Sequence, residues 1–395
     1  MQSGPESTGR RFFTFVGATA IGTLAVLTVL EVVMFAAWSF ARLLDPGTLR
    51  PERSPVYAGA TWAPDLFREQ SLRLALPYTY IPFRVTGVTE WHGKYFNNDQ
   101  HPAGIWRRTI NPEDCQHPKT SIWVFGGSTV YGTGVPDWAT LPSYLSRNLN
   151  RDGRACVIVT NFGDESYVTT QELILLIEQL KRGGRPDVVI FYDGFNDAHV
   201  GMAAPDPWSA HYGLDIIKAR AEGSFRGRFD FVHRLYTVRV IDAARRLFRR
   251  RSKTLNDDQL RARASAVVDN YEANQNIAEA LGQVYRFRFY AFWQPMLFYG
   301  HKPLVEFERQ IIQLDASSKA RFDPRPVVAA YQEAARRAPA AAFVNLADIF
   351  DSVPEPIYTD EAHLGPHGNE LAAHAIAKYL EDHPGGGEFP RFKAP

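Results

Sequence analysis

From residue 12 to residue 30 the chain carries no charge, and after Glu31 the uncharged run resumes from 32 to 40. A helix of about 20 apolar residues crosses a bilayer, so residues 12–40 predict one membrane-spanning helix. The rest of the chain alternates between two kinds of pattern. Near-continuously apolar runs at 121–125, 156–162, 188–192, 287–293 and around 342–346 read as strands buried on both faces. Stripes at helical spacing separate them, over about 138–149, 170–182, 257–284, 303–314, 325–338 and 367–380. In the first of these, Trp138, Leu141, Leu145 and Leu149 share one face. Strands alternating with helices of this length predict an α/β fold, a parallel sheet with helices on both sides.

The flanks of the apolar run set an expected topology. Residues 1–11 are polar and end in Arg10-Arg11, directly against the run. A cleaved signal peptide usually has a shorter apolar stretch and a small-residue cleavage site, and Ser39-Phe40-Ala41 is a weak candidate, so 12–40 reads as an uncleaved signal anchor. Arg42, Arg50 and Arg53 lie on the far side, yet the positive-inside rule favours a cytoplasmic N-terminus and an extracytoplasmic main domain. Glu31 then lies toward the outer edge and is expected to snorkel to the interface. Residues 41–75, with Pro46, Pro51, Pro55, Gly59 and Pro64, read as a linker. Residues 76–118 read as an irregular cap with β-prone pieces at 78–85 and 94–96 and turn chemistry at Asn97-Asn98-Asp99. The main domain covers 119–382, with an insertion at about 200–256, and 383–395 form a tail.

Composition removes several function classes. A formal net charge of +1, with 45% hydrophobic and 13% aromatic residues, excludes a strongly basic nucleic-acid binder and an acidic disordered chain. No His/Cys cluster has metal-ligand spacing, so neither a metal nor a cofactor is expected.

The stretch 121–134 carries the first chemistry. A strand meets Gly126-Gly127 and then Ser128, a strand–tight turn–helix unit with a hydroxyl at the turn. Such a turn cradles a phosphate or presents a nucleophile. A Walker lysine is absent, and Gly132-Thr133-Gly134 is followed by no third glycine, which disfavours nucleotide binding. Ligands of open α/β sheets bind outside the carboxyl ends of the strands. There the chain places Ser128, Gly163 and Asn196 after the first three strands and Asp360-Glu361-Ala362-His363 after the last. A hydroxyl, an imidazole and a carboxylate are a nucleophile, its base and the group that orients the base. The Ser128 and Gly163 N–H groups and the Asn196 amide are three donors for an oxyanion. His367, four residues on, is a rival base. Gly127, Asp164 and Gln294 are candidate substrate contacts, although Gln294-Pro295 reads equally well as a strand end.

In these residues the chain resembles the SGNH (GDSL-like) hydrolase superfamily. Gly126-Gly127-Ser128, Asn161-Phe162-Gly163, Gly194-Phe195-Asn196-Asp197 and Asp360-Glu361-Ala362-His363 match its four blocks in order, over roughly 119–382. The resemblance implies a three-layer α/β/α, flavodoxin-like sheet and serine-dependent acyl-ester chemistry. Ser128 would be the nucleophile, His363 the base, Asp360 its orienter, and Ser128, Gly163 and Asn196 the oxyanion donors. Two features depart from the pattern. Asp164-Glu165 stand where small neutral residues are common, so these carboxylates either point away or bind a substrate hydroxyl. The insertion carries Trp208, His211, Tyr212 and an arginine-rich stretch at 239–253. It leaves the sheet at the catalytic rim and is expected to cover the mouth, its arginines forming a solvated face or an anionic-lipid or glycan patch. Cys115 and Cys156 fall at the opposite rim of neighbouring strands and are expected to form a disulfide. Three functions follow: a membrane-anchored esterase or deacylase acting on an acylated glycan, lipid or small ester; an O-acyltransferase using the same triad; and a silent binding domain.

Overall fold

The computed structural model describes residues 8–44, 51–74, 79–114, 119–153, 156–222, 235–238, 240–241, 255–316 and 323–384. The chain divides into two compact units, Met1–Leu49 with Gly213–Thr254, and Arg50–Tyr212 with Leu255–Pro395.

The first unit is built on helix α1, Thr8–Leu44. Within it, Phe15–Phe40 is long and apolar enough to cross a membrane, with a mean hydropathy of 2.2. Glu31 does not stand alone on this surface. Its carboxylate accepts the backbone N–H groups of Tyr236 at 2.7 Å and Thr237 at 3.1 Å, and the Tyr236 ring meets Phe35 edge-on at 4.9 Å. Two backbone donors thus satisfy the carboxylate, which offsets the cost of a polar group among apolar neighbours. Of the arginine-rich stretch, Arg239 and residues 242–254 lie outside the described residues in whole or in their side chains.

The second unit holds five parallel strands: β6 (Lys119–Gly126), β7 (Cys156–Gly163), β8 (Val188–Asp193), β9 (Arg288–Trp293) and β10 (Val344–Asn345). Their spatial order, β10-β9-β8-β6-β7, is the flavodoxin-like order read from the other edge. Side chains alternate between the faces. Phe125, Phe162, Phe191 and Trp293 point to one side, into a core with helix α5 (Thr169–Lys181), helix α8 (Asp257–Tyr285) and helix α10 (Pro324–Arg337). Phe125 stacks on Phe162 at 4.9 Å, and Trp293 meets Tyr271 edge-on at 4.8 Å. On the other face, Phe292 packs edge-on against Tyr379 of helix α11 (Pro366–Asp382), which pairs with helix α4 (Leu141–Leu149). This is the three-layer α/β/α arrangement. Fully burying each such large side chain contributes about 1.5–3 kcal/mol.

The segment before β6 is more regular than its composition predicts. Helix α2 occupies Ala63–Leu74, inside the expected linker. Strands β1 (Thr79–Ile81) and β2 (Val85–Gly87) form a hairpin. Strands β3 (Trp91–His92), β4 (Asn97–His101) and β5 (Gly104–Arg107) form an antiparallel sheet. Asn97-Asn98-Asp99 therefore lies in a strand rather than a turn. The reason is tertiary: Asn97 Nδ2 donates to Asp137 Oδ2 at 2.7 Å and Asn98 Nδ2 to the Thr89 carbonyl at 3.0 Å. With both amides satisfied at long range, the local side-chain turn loses its advantage. Cys156 opens β7 and is disulfide-bonded; Cys115, the chain's other cysteine, lies outside the described residues.

Candidate active site

Strand β6 ends at Gly126, and Ser128 is the first residue of a one-turn helix α3, Ser128–Tyr131. The helix expected at about 138–149 is α4, Leu141–Leu149; the one-turn helix opened by Ser128 precedes it as an additional element. An N–H in a first helical turn has no intrahelical acceptor, and Ser128 is in that first turn. Two glycines make the turn possible by close approach. A Cβ on Gly127 would stand 2.4 Å from Asn196 Nδ2, and one on Gly163 would stand 2.3 Å from the Tyr131 nitrogen.

The last block comes back to this turn from 232 residues away, yet its geometry is local. A bridge between Tyr358 and Leu364 and a Thr359 N–H to His363 carbonyl bond of 2.9 Å close the loop around Asp360–His363. Asp360 Oδ1 accepts the N–H groups of Ala362 at 3.0 Å and His363 at 2.8 Å. Its other oxygen accepts the His363 Nδ1–H at 2.7 Å. His363 Nε2 then faces Ser128 Oγ at 2.7 Å, within reach for taking the hydroxyl proton. Glu308, fully buried, braces the loop from below: Oε1 accepts the Ile357 and Tyr358 N–H groups at 2.9 and 3.1 Å, and Oε2 pairs with Lys302 at 2.8 Å.

The charges are tuned accordingly. Burial alone would raise the Asp360 pKa, but the His363 charge and three hydrogen bonds outweigh it, and the carboxyl is held below its usual range. For His363, burial opposes the charged ring; Asp360 overcomes it, with Glu361 and Glu165 adding smaller pushes, and the pKa is raised above 6.5. A base works in its neutral form, so turnover should rise with pH through this raised value. The acid limb of kcat/KM is expected to have its midpoint above 6.5, and Asp360→Asn should move that midpoint down, because the anion that stabilises the imidazolium is gone. A limb unmoved by Asp360→Asn would contradict the assignment.

The oxyanion donors are arranged less simply. Asn196, in helix α6 (Phe195–Ala203), donates through Nδ2 to the Tyr167 carbonyl at 2.8 Å, with Nδ2 close against Gly127. The Gly163 N–H donates to Asn161 Oδ1 at 2.9 Å, and Asn161 Nδ2 donates to the Val130 carbonyl at 2.9 Å. Gly163, expected as an oxyanion donor, thus stands at the turn with its N–H engaged by Asn161.

The remaining candidates have protein partners. Gln294 is buried, its Oε1 accepting at 3.1 Å from Oγ1 of Thr129, next in the chain to Ser128. Asp164 is buried and turned to the β1–β2 hairpin, accepting from Val88 N at 3.4 Å and Glu165 N at 2.8 Å; burial pushes its pKa up to about 7. Glu165 pairs with Arg73 at 3.5 Å and accepts from Thr133 Oγ1 at 3.5 Å. His367 sits in the first turn of α11 at 3.8 Å from Glu370, half exposed, and His363 alone makes the bond to Ser128. No cluster of three metal-ligating side chains occurs among the described residues.

Beneath the third block lie carboxyls the sequence reading did not single out. Asp197 accepts the Thr169 N–H at 3.1 Å and its hydroxyl, tying the block to the start of α5. Glu172 and Asp193 are wholly buried beside it, and burial raises both well above the carboxylate range. Acidic residues in a helix stripe and at a strand end gave no sign of this; only the parallel sheet brings them together.

No protein-family model matches the chain, and no curated protein matches it. Solved structures do. A lipolytic protein of the G-D-S-L family from Veillonella parvula is 11% identical over 66% of this chain and 98% of its own, with a TM-score of 0.35. An acetyl xylan esterase is 14% identical over 66% and 99%, at 0.33. An acetyl-xylooligosaccharide esterase from Geobacillus, in a mutant form, is 14% identical over 72% and 100%, at 0.34. At such identities and scores the weight rests on the chain's own topology and geometry. That topology is the strand order β10-β9-β8-β6-β7, and that geometry is the hydrogen-bonded array of Ser128, His363 and Asp360 at the carboxyl ends of the strands.

Proposed function

We propose that the protein is a membrane-anchored serine esterase or deacylase that cleaves an O-acyl ester of a glycan, lipid or small molecule. The observation that carries this reading is the unbroken chain from Ser128 Oγ to His363 Nε2 and from His363 Nδ1 to Asp360, each link 2.7 Å. Ser128 Oγ attacks the ester carbonyl carbon as His363 takes the hydroxyl proton. The oxyanion forms against the Ser128 N–H and the Asn196 amide. The C–O bond to the alcohol then breaks, and His363 delivers its proton to the leaving oxygen. Water, activated by the same imidazole, returns the acyl group as the acid and frees Ser128. The test uses the full chain in detergent with p-nitrophenyl esters of graded acyl length. Turnover that is lost after treatment with a fluorophosphonate supports the reading; ester cleavage indifferent to that reagent defeats it.

The apolar helix favours an anchor, and Arg10-Arg11 beside it favours a cytoplasmic N-terminus with the catalytic unit outside. Protease added to intact cells should then digest the catalytic unit. Complete protection, with digestion only after lysis, would reverse the orientation.

A further inference from the structure

Asn196 is held at both ends of its amide. The Tyr167 carbonyl can only accept, so Nδ2 faces it at 2.8 Å and Oδ1 faces the other way. There the hydroxyl of Tyr212 stands 3.3 Å from Oδ1 and donates to it. The same phenol oxygen lies 2.7 Å from His199 Nδ1. Since its single proton goes to Asn196, the imidazole must supply the other one, with N–H on Nδ1. Burial lowers the His199 pKa, which suits a fixed tautomer of this kind. The Tyr212 ring meets His199 edge-on at 5.6 Å, so the phenol is located by packing as well as by hydrogen bonding.

We propose that Tyr212, oriented by His199, is a positioning residue that fixes the Asn196 amide for the oxyanion. The proposal rests on the esterase reading above. The terminal torsion of an asparagine is broad and roughly two-fold, so one bond to the Tyr167 carbonyl leaves the amide free to swing about that contact. The second bond, to Oδ1, fixes the plane and with it the direction of the remaining N–H. A donor set in place before charge develops costs no reorganisation when the charge appears. Tyr212 touches Asn196 rather than the reacting atoms, so its effect should appear in the chemical step and vanish when Asn196 is gone. Tyr212 sits in the insertion as the last residue of the catalytic unit before the chain passes, at Gly213, to the other unit. That gives the root of the insertion a definite task.

The test is a double-mutant cycle on the full chain in detergent, with p-nitrophenyl acetate turnover and the rate of fluorophosphonate labelling of Ser128 as readouts. In that labelling Ser128 Oγ bonds to phosphorus, fluoride leaves, the proton passes to His363, and the phosphoryl oxygen enters the oxyanion position. Asn196→Ala is expected to lower kcat by roughly a hundred- to a thousand-fold. Tyr212→Phe is expected to lower kcat and the labelling rate by roughly two- to twelve-fold, the loss of one neutral hydrogen bond, with KM unchanged. In the Asn196→Ala background the same substitution should have no further effect, because the two groups act as one. His199→Phe, which leaves the phenol in place but removes its partner, serves as the second variant should Tyr212→Phe fold poorly, and should show the same dependence on Asn196. An equal loss in both backgrounds, a change in KM rather than kcat, or no loss at all would overturn the proposal while leaving the esterase reading intact. A wild type that neither cleaves the ester nor labels at Ser128 would defeat both.

Discussion

Replacing Ser128 with alanine should lower ester turnover by about six orders of magnitude, with His363→Ala close behind and Asp360→Asn costing about four. The first two remove the nucleophile and the group that takes its proton, and neither has a substitute within the 2.7 Å array. Asp360 acts through His363. As asparagine it would still reach Nδ1, but it would favour the wrong tautomer and withdraw the anion that stabilises the imidazolium. Because the three side chains act as a unit, a double variant of Ser128 and His363 should be no slower than either single one. Steady-state kinetics with p-nitrophenyl esters on protein of matched thermal stability would show the order. If His367→Ala were inert and His363→Ala retained wild-type turnover, the base would be misassigned.

Arg107→Ala should destabilise the catalytic unit by about 3–5 kcal/mol, the usual cost of breaking a buried ion pair from one side. Its side chain is wholly buried. Nε pairs with Asp137 Oδ1 at 2.7 Å, Nη1 reaches the Tyr131 and Gly132 carbonyls at 3.4 and 3.3 Å, and Nη2 donates to the Val135 carbonyl at 2.9 Å. One guanidinium thus gathers the whole turn that follows the nucleophile. Asp137 in turn accepts the backbone and side-chain N–H groups of Asn97 at 3.0 and 2.7 Å. Removing Arg107 leaves a buried carboxylate and three carbonyls short of a donor. Domains are stable by only about 5–15 kcal/mol, so a fall in unfolding midpoint by several degrees is the expected thermal signature. A midpoint within one or two degrees of wild type would show that the turn holds without its strap.

These two results separate what the sequence made legible from what it did not. The sheet was legible because its strands are buried on both faces and so read as unbroken apolar runs, and because helices of standard length divide them. The meeting of Ser128, His363 and Asp360 was legible because Asp360 and His363 share one short loop and Ser128 sits at a glycine turn. At the last strand the prediction ran long: pairing covers only Val344–Asn345, and the Leu346 N–H closes it off on the Trp293 carbonyl at 2.9 Å. Arg107, Asp137 and Glu308 were not legible as parts of the site, and Tyr212 was legible only as an aromatic residue of the insertion, not as a partner of Asn196. Arg107, Asp137 and Glu308 are charged types that usually lie at the surface, and they meet Asp137, Asn97 and the Ile357 and Tyr358 N–H groups from 30 to 50 residues away, with no periodicity to betray them. The Asn161 side chain, which takes the Gly163 N–H, sits inside a matched block and was visible only as part of a motif.

The central claim is that Ser128 carries the acyl group during turnover. The most direct measurement mixes the full chain with excess p-nitrophenyl acetate, quenches in acid within the first turnovers and maps the acyl adduct by peptide mass. An acetyl increment on the peptide containing Ser128, absent from Ser128→Ala and longer-lived in Asp360→Asn, is the predicted result. Turnover that proceeds with the adduct on another residue, or that survives Ser128→Ala undiminished, would contradict it.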